Sequence, residues 1–170
     1  MKKLNNLSES SFLKLFFLFV SLCFVVAAFI MPDRSTAFSG FYKILTSTCK
    51  VSTNYFALGG YAATFLNMGL VGLFCWALCW LPGAKAVNVT NFGFLLTVGF
   101  GAWGINPLNM IPTILGVLLY ALVKKEKAGS LVNAMMFSTG IAPLISDLLL
   151  RYPNTEMVGF NPLGLGLALF

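Results

Sequence analysis

The 170-residue chain contains no histidine. That one absence removes Ser-His-Asp triads, histidine-ligated haem and the helical zinc-protease motif together. Charge is nearly as scarce, at 9% of residues, against about 25% in an ordinary soluble domain. Only five residues are acidic, and no carboxylate pair, nucleophile–base pair or metal-ligand set emerges from their spacing. The eleven basic residues are scattered over loops and ends. They form no basic patch interleaved with aromatics of the kind that grips single strands. Cysteine is limited to Cys23, Cys49, Cys75 and Cys79. Cys75 and Cys79 lie one helical turn apart in an apolar run, where thiolates are costly and no histidine completes a ligand set. They read as buried structural thiols. The expectation is a protein that is not an enzyme, with no metal, no cofactor and no nucleic-acid partner.

What the chain does have is apolar sequence. Hydrophobic residues make up 58% of it, and mean hydropathy is +0.87. A soluble chain of this composition would expose large sticky patches. Between Tyr55 and Val123 the one charged residue is Lys85. These features predict an all-α, polytopic integral membrane protein of the cell membrane, with the lipid bilayer as its first partner. About four to six membrane-inserted helices are expected, some broken or re-entrant, in a single membrane domain over 1–170.

The basic start followed by an apolar run could be a signal peptide. The run at 15–31 exceeds the usual 7–15 residues of such a segment, and bulky Ile30 and Met31 close it. Residues 11–31 are therefore expected to form the first transmembrane helix. Residues 35–54 are mixed, with Phe38, Phe41, Ile44 and Leu45 at helical spacing, which suits an interfacial segment. Thr53 or Asn54 offers an N-cap for a second span over 55–81, stopped by Pro82-Gly83. Along that span Gly59, Ala63 and Asn67 recur every four residues, so a neighbouring backbone can come close. Asn67 falls near the middle, where its amide needs a partner. It serves either as glue between helices or as a ligand to a solute.

Residues 91–123 hold an apolar stretch cut by "GINPLN" at 104–109, and "GFNPLG" at 159–164 repeats the motif. Asparagine is a good N-cap, and proline suits the first helical position because its missing amide costs nothing there. Gly104, Asn106 and Pro107 thus read as chain break, cap and new helix, with Asn109 one turn further on. Each arm is shorter than a hydrocarbon core of about 30 Å. The stretch is either a plain turn between short spans, one broken span, or a re-entrant hairpin. Non-helical backbone at membrane depth is tolerated only where protein buries it or a watery cavity touches it. Paired Gly/Pro-interrupted segments are the best sequence pointer to a transporter's substrate site.

A further span is expected over 131–150, interrupted by "STGIAP", where Gly140 and Pro143 read as a kink and Thr139 and Asp147 add polarity. Asp147 either lines a path or snorkels to water. Asn161 and Pro162 begin another apolar stretch over 159–170, too short to cross. That length predicts a fragment or one half of a longer protein. Placing Lys2, Lys3, Lys14, Lys85, Lys124, Lys125 and Lys127 on the inner side leaves Arg34, Lys43, Lys50 and Arg151 outside. That arrangement follows the positive-inside rule and requires 91–123 to enter and leave by one face.

The stretches "GGYAATFLNMGLVGL" (59–73), "GFGAWGINPLNMIPTILGVLLYA" (99–121), "STGIAPLISD" (138–147) and "GFNPLGLGLAL" (159–169) resemble an uncharacterised multi-pass membrane protein family of Gram-positive bacteria, a domain of unknown function. The resemblance covers roughly residues 40–170 and implies a longer protein with a second set of spans, expected to begin where this sequence stops. A weaker likeness, carried by "LNMGLVGLF" (66–74) and the two Asn-Pro-Leu copies, is to bacterial urea channels. The leading expectation is part of a channel or transporter for a small polar solute. Asn67, Asn106, Asn109, Thr139 and Asp147 are its path candidates, and Gly104, Pro107, Gly140, Pro143, Asn161 and Pro162 form its helix breaks. The alternative is a non-transporting membrane subunit or assembly factor. In either case the expected protein partner is a second copy or a second membrane subunit.

Overall fold

The computed structural model describes residues 8–48 and 53–151. Asn161, Pro162 and the stretch 159–170 lie outside the described residues. Among those described there is no strand, and four helices are long and apolar enough to cross a membrane. The protein is an all-α membrane protein.

α1 (Glu9–Ile30) is capped by the Ser8 hydroxyl, which accepts from the Ser11 amide. It presents Phe12, Leu15, Phe19, Leu22, Val26 and Phe29 outward. That outward face is greasy because its solvent is lipid. The inner face packs antiparallel along α4 (Tyr61–Leu78). The close approach comes from small residues. A Cβ at Gly69 would meet the Val25 side chain at 2.6 Å, and one at Gly72 would strike the Ser21 hydroxyl. Packing of Phe17 on Phe94 of α5 (Asn88–Phe100), with ring centroids 4.1 Å apart, ties in the next helix.

The expected span over 55–81 is not one helix. α3 (Tyr55–Gly59), capped by Asn54, ends at Gly60 with φ +87°, and α4 starts afresh at Tyr61. The new start has no side-chain cap of its own. Asp33, in the turn after α1, supplies one: both carboxylate oxygens accept from the Ala62 amide at 3.2 Å. A carboxylate there also faces the positive end of the helix dipole. α2 (Ala37–Thr46) lies within the segment 35–54 expected at the interface. It buries Ala37, Gly40 and Ile44 against α3 and α4 and turns Phe38 and Tyr42 outward.

α5 (Asn88–Phe100) and α6 (Pro107–Lys124) are the two arms of the broken segment. α7 (Val132–Ser138) and α8 (Ala142–Arg151) are joined directly by a single 3-10 turn, Thr139–Ile141. The "STGIAP" interruption is thus a tightening of one turn. α7 packs against both α5 and α6. Both ends of the α5–α6 unit lie at one end of the bundle. The Gly129 amide, after α6, donates to the Pro82 carbonyl, before α5, at 3.1 Å. The Ala86 amide donates to the Ser10 hydroxyl at the start of α1 at 3.0 Å. The segment therefore leaves one end of the bundle and returns to it.

Candidate functional site

Where α5 stops and α6 starts, the chain makes a tight reversal over 101–106 against the flank of α4. Gly104 adopts φ +125°, a region that residues with a Cβ rarely enter. The reversal sits beside Asn67, six residues into α4. At 1.5 Å per residue that is about 9 Å below the helix start, well inside the span. Backbone polar groups at such depth need partners within the protein, and a set of buried amides provides them.

Asn67 is fully buried and donates both amide hydrogens, to the Gly101 carbonyl at 2.6 Å and the Ile105 carbonyl at 2.8 Å. The Gly101 carbonyl is at the C-cap of α5, and the Ile105 carbonyl lies in the loop just before the Asn106 cap of α6. Asn106 accepts from the amides of Leu108 and Asn109, both at 3.0 Å, and so caps α6 with Pro107 at its first position. Asn109 closes the box from the other side by accepting from the Asn106 amide at 2.9 Å. Its own NH2 donates to the Gly104 carbonyl and the Ser146 hydroxyl, each at 2.8 Å. Asn106 Nδ2 reaches the Tyr55 hydroxyl at 3.2 Å, and the Tyr55 amide donates to the Ala102 carbonyl. One turn of chain is thereby fastened to α3, α4 and α8 by polar bonds, while its Ala102 and Ile105 side chains pack into the hydrophobic core. At the reversal, Asn67 Oδ1 is buried with no hydrogen-bond partner among the described residues; Asn91 Oδ1, near the start of α5 and away from the reversal, is another such acceptor.

Three of the path candidates, Asn67, Asn106 and Asn109, are brought together around this reversal, with the break residues Gly104 and Pro107. Thr139 belongs to another cluster. Its hydroxyl donates to the Met136 carbonyl at 2.6 Å and lies 3.2 Å from the hydroxyl of Thr97 on α5. Asp147 is half-buried on α8, next to Ser146. Gly140, exposed, is the middle residue of the 3-10 turn, and Pro143, buried, follows in the first turn of α8; neither is at the reversal. Cys75 and Cys79 are both buried, and the Cys79 thiol donates to the Cys75 carbonyl at 3.5 Å.

Tyr55, Ser146 and Asp33 were not singled out by sequence reasoning. Tyr55 resembled any interfacial aromatic, and Ser146 any helix serine. Asp33 carried a usable signal: an acid just beyond a first span is free to cap another helix.

Comparison with curated proteins gave no match, and comparison with solved structures gave none. Against protein-family models, residues 33–169 match the one described as a protein of unknown function, DUF1576, a stretch that begins at the Asp33 cap and takes in the whole reversal, and the chain belongs to that family.

Proposed function

We propose that this multi-pass membrane protein is a non-enzymatic channel or transporter element for a small uncharged polar solute, and that the α5–α6 reversal is the polar station on its path. The observation that carries this reading is the unpartnered Asn67 Oδ1, a fully buried carbonyl oxygen beside a helix break well inside the bundle. A buried acceptor without a donor costs about 1–3 kcal/mol, and a passing N–H or O–H donor would relieve it. Broken helices at membrane depth are the places where transporters expose polar backbone to substrate. Charge is nearly absent around the station, so an uncharged solute fits it better than an ion.

A second reading, a non-transporting subunit, is favoured by a separate observation. All the amide hydrogens of Asn67 and Asn109 are already engaged by the protein itself. On that reading the cluster is purely a clamp.

Stopped-flow reswelling of proteoliposomes under urea and glycerol gradients separates the two. The transport reading expects reswelling faster than in protein-free vesicles for at least one solute. It also expects Asn67→Leu, purified in folded form, to return the rate to that of empty vesicles. Wild-type vesicles that reswell no faster than empty ones with either solute overturn transport and leave the clamp.

A further inference from the structure

Away from the reversal, at the end of the bundle where α1 begins and α4 stops, a groove of about 340 Å³ lies between these two helices, lined by Ser11, Lys14, Leu15, Leu18, Trp76 and Trp80. We propose that it holds one anionic phospholipid, with an acyl chain along Leu15, Leu18 and Trp76 and the headgroup phosphate on the Lys14 ammonium.

The chemistry of the two ends of the groove selects this occupant. Its floor is aliphatic and aromatic, which suits an acyl chain. Its rim carries one ammonium, and among the described residues no carboxylate pairs with it. The Lys14 Nζ lies 4.6 Å from the centroid of the Trp80 ring. That contact orients the ammonium while leaving it able to donate to a phosphate. Trp76 and Trp80 meet edge to face at 6.0 Å, and tryptophans of this kind sit at headgroup level. The surroundings add charge of the same sign. The Ala86–Ser10 and Gly129–Pro82 hydrogen bonds bring the loop of Lys85 and the loop of Lys125 and Lys127 to this end of the bundle. A cluster of lysines at one membrane face attracts anionic headgroups. A zwitterionic lipid would put its own cation beside theirs.

The test is native mass spectrometry of the full chain released from mixed micelles containing equal phosphatidylglycerol and phosphatidylcholine. One retained lipid per chain is expected, with phosphatidylglycerol favoured. Lys14→Gln keeps the stem and removes the charge, and should lower that preference about fivefold, the effect of one lysine near a membrane surface. Lys43→Gln, at the opposite end of the bundle, should leave it unchanged. Leu15→Trp fills the groove without touching the charge and should abolish the retained lipid altogether. Because Leu15 is outward-facing on α1, that variant tests the groove even where Lys14→Gln fails to accumulate. Equal retention of both lipids by the wild type, or undiminished retention by Leu15→Trp, overturns the site. So does retention of free glycerol phosphate, supplied alone, as tightly as the lipid.

Discussion

At the residue scale, the decisive side chains are asparagines. In a membrane an amide that donates twice and accepts once can replace the water that a chain reversal would otherwise need. Asn109 shows the cost of losing one. Its removal would leave the Asn106 amide, the Gly104 carbonyl and the Ser146 hydroxyl without their partner at once. Each buried orphan is worth about 1–3 kcal/mol, although interhelical bonds in membranes average nearer 0.6 kcal/mol. Asn109→Leu is therefore expected to destabilise the protein by about 2–4 kcal/mol, seen as a lowered thermal midpoint in detergent and reduced accumulation in membranes. A midpoint equal to that of the wild type would mean that the capping box is not holding the reversal. The same count explains why the polar residues were visible in the sequence while their roles stayed open. An asparagine in an apolar run must find a partner, but the sequence does not say whether that partner is backbone or solute.

At the element scale, helices meet through missing side chains. A Cβ at Gly40 would run into the Gly59 carbonyl and lie 2.8 Å from the Ala63 Cβ, so α2 can lie on α3 and α4 only while position 40 is bare. Gly116, on α6, has nothing within 4 Å of the same point. Gly40→Ala should therefore separate α2 from its neighbours and cost about 1–3 kcal/mol, the usual range for overpacking. Gly116→Ala should be neutral or stabilise by up to about 1 kcal/mol, since alanine is the better helix former. Thermal unfolding of the two variants side by side makes the comparison, and equal effects would contradict it. Elements with a strong local signal were readable in advance. The cap at Asn106 with Pro107 is a local motif, and α6 starts there. The break at Gly60 was not readable in this way. It needs a helix start with no cap of its own, and the cap comes from Asp33, twenty-nine positions away.

At the scale of the whole molecule, the fold has two unlike ends. One gathers the start of α1 and the loops on either side of the α5–α6 unit, with Lys85, Lys124, Lys125 and Lys127. The other carries Asp33, Arg34 and Lys43. By the positive-inside rule, the first end is expected on the inner side of the membrane. In a cysteine-free background, single cysteines at positions 85 and 126 should label with an impermeant thiol reagent only in inside-out vesicles, and one at position 43 only in right-side-out vesicles. Labelling of positions 85 and 126 from opposite sides would mean that α5–α6 crosses once. Composition and hydropathy alone determined that this is an all-helical membrane protein, because an apolar helix is a property of consecutive residues. The local motif at 104–109 likewise located the start of α6 at Pro107, because cap and proline act within one turn. Only the tertiary structure decided that 55–81 is two helices, that Asn67, Asn106 and Asn109 share one knot while Thr139 joins Thr97 elsewhere, and that both ends of α5–α6 lie at one end of the bundle. Those outcomes depend on hydrogen bonds and close contacts between segments far apart in the chain, and hydropathy, which is summed over neighbours, carries no record of them.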